Sequence, residues 1–246
     1  MTKLVTIPKT IHSSIIWHSC KLTVLGVLLS FSAFSAAAPA AEETAEQVIT
    51  RLQDHYHRVD SLSFLFFQTT RGQMTGRPKK GSGNGVFVRT PQGSQMRWNY
   101  TSPERQVIIS DGKQVTMYFE RLNQMIIAPV TQAQADVFLS FFSDQDRLKD
   151  RFTIRDPAPA ASADITDDLK VVHLLPNAPD SQISTIHIWV SRDSHIRRIE
   201  LVDHFETVTT ITLSEIQTDT ISGNDTETIK RIFTFTPPEG TEIIKQ

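Results

Sequence analysis

Cysteine is all but missing from this chain. The 246 residues hold one, Cys20, and it precedes an apolar stretch instead of ending it, so it does not fit a lipid-attachment cysteine. A lone thiol excludes internal disulfides and thiolate metal sites. Metal-ligand spacing is missing too. His55 and His57, two apart on an expected helix, point to different faces. His173, His187, His195 and His204 fall on separate strands or turns, with no H-x-H or H-x-x-x-H pattern. No G-x-S-x-G elbow, phosphate loop or paired-glycine fingerprint occurs. Asp144, Asp146, Asp167 and Asp168 read as solvated acids at helix ends and in loops. Gly81-Ser-Gly-Asn-Gly85 follows Lys79 and Lys80 and reads as a flexible turn. The expectation is therefore a protein that is no enzyme and carries no cofactor.

Long apolar runs are scarce as well. The longest, Leu22–Phe34, falls short of the roughly 20 residues a bilayer-spanning helix needs. It follows Lys9 and Lys21 and leads into Ala38-Pro39-Ala40, a small-x-small cleavage pattern. That order reads as a secretory signal peptide over residues 1–40, the alternative being a membrane anchor. Residues 41–246 then form the expected single mature domain. The leader takes Cys20, His12 and His18 with it. It also takes Lys3, Lys9 and Lys21 and no acid, which leaves 22 basic against 27 acidic residues and a net charge of −5. Such a chain is a poor match for nucleic acid. An exported protein works without ATP, so any transport it performs must run on differences in affinity. What the chain does have is phenylalanine, fourteen against three tyrosines.

The pattern along the chain is mostly β. Thr44 and Gln47 make a capping box, and Val48, Ile49, Leu52, Tyr56 and Val59 recur at helical spacing, predicting a helix over about 44–59. Strands are expected at 61–70, 86–89, 95–101, 105–110, 114–120 and 123–128. Met96, Trp98 and Tyr100 share one face of the third, Arg97 and Asn99 the other. Asp111-Gly112 marks a hairpin. Thr131 to about Lys149 reads as helix, with Phe138, Phe141 and Phe142 on its apolar side. Further strands are expected near 151–155, 169–175, 183–191, 195–202, 205–217 and 228–236, with a surface loop over 156–168. About eleven strands joined mainly by hairpins make an antiparallel sheet. So many strands curl toward a barrel, and an incompletely closed one can hold an apolar ligand.

Several strings carry a resemblance: Met96-Arg97-Trp98-Asn99-Tyr100, Pro103, Gln106-Val-Ile-Ile-Ser-Asp-Gly-Lys113, Tyr118, Leu122-Asn-Gln124 and Phe233-Thr-Phe-Thr-Pro-Pro-Glu-Gly240. In this order, behind a leader and a first helix, the mature chain resembles the periplasmic outer-membrane lipoprotein carrier family, LolA. The resemblance implies an α+β fold: an unclosed antiparallel barrel with helices as a lid over an apolar cavity. A monomer is expected, and the resemblance implies a periplasmic chaperone with three kinds of partner. These are acylated outer-membrane lipoproteins, an ATP-driven ABC-type releasing complex in the inner membrane, and an outer-membrane lipoprotein receptor. Family members also carry an arginine before a proline that bonds the lid backbone. Here the segment reads Val88-Arg89-Thr90-Pro91, so either Arg89 or Thr90 takes that place.

The residues expected to carry the function are Phe64, Phe66, Phe87, Met96, Trp98, Tyr100, Ile108, Met117 and Ile126, facing a cavity. Phe138, Phe141 and Phe142 would belong to the lid, with Arg89 as its latch. Two other functions remain open: a binding protein of the same fold for another lipid or for sensing envelope lipoproteins, and a hydrolase acting on envelope lipid.

Overall fold

The computed structural model describes residues 42–72, 76–130, 141–142, 148–157, 168–178 and 182–246. The expected leader over 1–40 lies outside these residues. So do most of the expected helix over 131–149, with Phe138, and most of the loop over 156–168.

Helix α1 (Ala45–Arg58) starts where the sequence places it. Thr44 Oγ1 accepts from Gln47 N–H at 3.3 Å, and Gln47 Oε1 accepts from Thr44 N–H at 2.8 Å. The box satisfies two of the amides that a helix start leaves unpaired. Val48, Ile49, Leu52 and Tyr56 form the buried stripe that the spacing predicts.

Twelve strands follow in one sheet. They are β1 (Ser61–Arg71), β2 (Lys79–Thr90), β3 (Gly93–Ser102), β4 (Gln106–Ser110), β5 (Gln114–Phe119), β6 (Gln124–Pro129), β7 (Phe152–Arg155), β8 (Leu169–Pro176), β9 (Ile183–Ser191), β10 (Ile196–Asp203), β11 (Val208–Thr218) and β12 (Glu242–Lys245). Their order is β12-β6-β5-β4-β3-β2-β1-β11-β10-β9-β8-β7. Two hairpin ladders, β1 to β6 and β7 to β11, join where β11 pairs with β1. The order ends on two edges, β7 and β12, so the sheet does not close. A short helix α2 (Leu148–Arg151) leads into β7.

The sheet departs from the sequence reading in three places. β2 takes in the glycines expected to form a turn, because its neighbours occupy the space that side chains would fill. A Cβ at Gly85 would lie 2.3 Å from the Phe64 ring, and one at Gly83 would lie 1.8 Å from the Asn99 carbonyl oxygen. Next, the strand expected at 228–236 is a helix, α3 (Thr226–Phe233), capped by Asp225, whose Oδ1 accepts from Thr228 N–H at 3.1 Å. Its Thr- and Ile-rich run looks like a strand, but Ile229 and Phe233 are one helical turn apart; Ile229 is buried and Phe233 packs on the outer-face cluster. Finally, β12 was not expected. It pairs parallel to β6 after a turn at Gly240, whose φ is +80°.

The faces of the sheet differ. The inner face, covered by α1, holds one large buried cluster drawn from α1, β1 to β3 and β7 to β11. The outer face holds a smaller one, in which Val107, Ile109, Tyr118 and Met125 pack under Phe233 and Phe235.

Candidate functional site

Register decides which of the expected residues meet. Reading across the sheet, Phe64 pairs with Gly85, Gly85 with Trp98, Trp98 with Ile108, Ile108 with Met117, Met117 with Ile126, and Ile126 with Ile244. Directly opposed residues point to the same face, so this is one continuous apolar row. It begins in the core, where Phe64 and Trp98 are buried. Toward the β12 edge it becomes half-buried at Ile108, Met117, Ile126 and Ile244. The neighbouring row runs Leu62, Phe87, Met96, Ser110, Val115, Ala128. Edge-to-face ring contacts fill the buried end: Phe64 on Trp98 at 5.0 Å, Phe66 on Trp98 at 4.7 Å and Phe66 on Tyr100 at 4.8 Å.

All nine residues expected to face a cavity therefore lie on the inner face. Phe141 and Phe142 join the same buried cluster. Phe142 sits edge-on to Tyr56 at 5.0 Å and lies 5.9 Å from Phe87. Phe138 lies outside the described residues. Sequence reasoning missed Ile244, whose strand was not expected. It also missed Gln68, which prolongs the alternation Leu62, Phe64, Phe66 by one step.

Arg89 occupies the junction of three elements. It lies two residues beyond Phe87 on β2 and so on the inner face, with its guanidinium 6.0 Å from the Phe87 ring. Its Nη2 donates to Tyr56 O at 2.9 Å and to Phe142 O at 3.5 Å, and its Nε donates to Val59 O at 3.4 Å. The last carbonyls of a helix lack partners and carry its negative pole, so a cation is well placed there. Burial holds the Arg89 pKa below its ordinary value, while the Asp60 carboxylate pulls the other way. Thr90 faces outward. Its hydroxyl donates to Gly93 O at 2.7 Å and accepts from Gln92 N–H at 3.2 Å, closing the β2–β3 turn. Of the two residues, Arg89 is the one that reaches the α1 and Phe142 backbone.

Residues 57–226 match the sequence family of the outer membrane lipoprotein carrier protein LolA. The chain belongs to the LolA family. An outer-membrane lipoprotein carrier protein from Bordetella pertussis is 29% identical over 221 residues, covering 89% of this chain and 96% of its own. One from Methylococcus capsulatus is 26% identical over 208 residues, covering 85% and 91%. A solved LolA superfamily protein from Nitrosomonas europaea aligns over 78% of this chain and 98% of its own, at a TM-score of 0.40 and 11% identity. The LolA match runs from the last turn of α1 to the start of α3, so it takes in Arg89 and most of the apolar row.

LolA is a family of carriers and not of enzymes. Among the described residues, no group of three metal-ligating side chains converges, and no helix is long and apolar enough to cross a membrane. Four of the described histidines meet in two pairs. His55 meets His195 edge-on at 4.7 Å, and His173 stacks on His187 at 4.7 Å.

Proposed function

We propose that this protein is a periplasmic chaperone that carries acylated lipoproteins to the outer membrane. The observation that carries the reading is the apolar row on the inner face. It is packed solid at Phe64 and Trp98 and left half-buried over Ile108, Met117 and Ile126. Acyl chains need such a face, because each CH₂ exposed to water costs about 0.8 kcal/mol. Three long chains do not cross an aqueous compartment bare.

In this reading the leader over residues 1–40 directs export and is cut after Ala40, and the mature domain works as a monomer. It receives its cargo from an ABC-type releasing complex in the inner membrane and yields it to an outer-membrane lipoprotein receptor. Exchange without ATP requires a closed form of modest stability, since a ligand opens a lid only by its differential affinity for the open state. Arg89 is the latch of that closed form. It bonds Phe142 on one side and the end of α1 on the other, and acyl chains entering the inner face displace the lid phenylalanines. Purification of the exported protein under native conditions, followed by mass spectrometry, tests the reading. Bound triacylated lipoprotein and a mature N-terminus at Ala41 support it. Free phospholipid alone would mark a binding protein for another lipid.

A further inference from the structure

At one end of the inner face the apolar floor gives way to a neutral hydrogen-bonding group. Along β1 the inner-face positions run Leu62, Phe64, Phe66, Gln68 and Thr70. Opposite them, Gly81 on β2 puts no side chain above the sheet, and the Tyr100 ring from β3 covers the gap. A Cβ at Gly81 would lie 3.3 Å from Tyr100 Cδ1 and Cε1. The ring thus crosses β2, and its hydroxyl donates to Gln68 Oε1 at 2.7 Å. Gln68 Nε2 donates to Thr70 Oγ1 at 3.3 Å, and Thr70 Oγ1 lies 3.1 Å from Thr209 Oγ1. Gln106 stands beside Tyr100 in register and adds another amide to the same face.

This group borders directly on the apolar floor, because Phe66 touches both Trp98 and Tyr100. None of its members is charged. Burial raises the Tyr100 pKa to about 12, which keeps its hydroxyl a donor throughout the physiological range. Bonding capacity is left over: Gln68 has a second amide N–H, and the Tyr100 oxygen can still accept.

We propose that Gln68 and Tyr100 bind the neutral head of an acylated ligand, the ester and amide groups where its chains converge, and so fix the direction in which the chains lie. The inference rests on the carrier reading above and adds a polarity to it. The head sits at the Gln68 end, and the chains run from there over Trp98, Ile108 and Met117. Carbonyl oxygens find the Gln68 and Gln106 amides, while Lys79, opposite Thr70 in register, lies one step further out on the same face.

The test compares two ligands on three folded proteins: wild type, Tyr100→Phe and Gln68→Leu. One ligand is a tripalmitoyl-cysteinyl lipopeptide, which has the carbonyl-rich head. The other is N-phenyl-1-naphthylamine, an apolar probe with no carbonyl. Loss of one or two neutral hydrogen bonds weakens lipopeptide binding about three- to tenfold in each variant and leaves the probe unchanged. Tyr100→Phe removes a single oxygen, so it decides the matter if Gln68→Leu fails to fold. An unchanged ratio of the two affinities in the variants overturns the head site and leaves the carrier reading standing. A wild type that binds neither ligand overturns both.

Discussion

Arg89 and Gly85 show how much of the fold rests on single atoms. The Arg89 guanidinium holds three carbonyls from two segments of chain. Arg89→Leu keeps the aliphatic packing and removes those bonds. Charge-assisted hydrogen bonds are worth about 1.5–3 kcal/mol each before screening and partial exposure are discounted. The closed form should therefore lose about 1.5 kcal/mol, with two readouts. The melting temperature falls by a few degrees, and the variant captures acylated lipopeptide up to about tenfold more tightly, because less closed-state stability opposes opening. Weaker capture in a folded variant would remove Arg89 from the latch. Gly85→Ala tests packing alone. Its methyl group would collide with Phe64, and a small-to-large change in a filled core costs about 1–3 kcal/mol, readable by urea unfolding. An unchanged midpoint would mean that the Phe64 ring can leave its place above β2. The sequence shows the Arg89 and Thr90 pair but not which one turns inward, since that depends on where β2 ends. Gly85 is legible only as a glycine: the ring that needs its empty space sits on another strand.

Among the elements, α1 and the hairpins are legible because their signals are local. A capping box, a 3.6-residue apolar stripe and an Asp-Gly turn each fix their own few residues. Asp111 Oδ1 accepts from the amides of both Lys113 and Gln114, at 2.9 and 2.7 Å. α3 and β12 are not legible, because their partners are distant in sequence. α3 forms where Phe233 reaches an outer-face cluster built from β4 to β6, and β12 forms where β6 offers a free edge. The junction of α1 with the β9–β10 turn carries a pH dependence. His55 lies against His195 there, and the Tyr56 hydroxyl accepts from Ile196 N–H at 3.1 Å. Burial, then the charges of His195 and Arg58, hold the His55 pKa below its ordinary value, with Asp193 and Asp219 pulling it up. Arg51 and Arg197 add positive charge at the same turn. The folded state thus resists protonating His55, and the unfolded chain takes up that proton near pH 6.5. Below that value the unfolded state binds more protons, so stability falls as the pH drops from 7.5 to 5.5. His55→Gln should flatten part of this slope in thermal melts. His173, shifted the same way by burial, His187 and Arg155, keeps the rest. An unaltered slope would show that His55 takes up its proton without cost.

At the scale of the whole molecule, the sheet is asymmetric in what covers it. Toward β7 its inner face packs against α1, and toward β12 the apolar row runs out half-buried. A fold that only needed a core would place its large apolar residues where α1 already lies. This one extends them across β4, β5 and β6 to Ile126 and Ile244. The alternation of Met96, Trp98 and Tyr100 makes the first part of that face visible in the sequence. The rest follows only from register, which aligns strands up to six places apart in the sheet. The central claim is that this face, and not the outer one, takes acyl chains. Met117 and Thr116 are adjacent on β5 and point to opposite faces, both half-buried. The most direct measurement is the affinity of folded Met117→Asp and Thr116→Asp for a triacylated lipopeptide. A carboxylate among acyl chains is costly, so Met117→Asp should lose binding more than tenfold while Thr116→Asp stays within about twofold of wild type. Equal affinities in the two variants, or a greater loss in Thr116→Asp, would contradict the account.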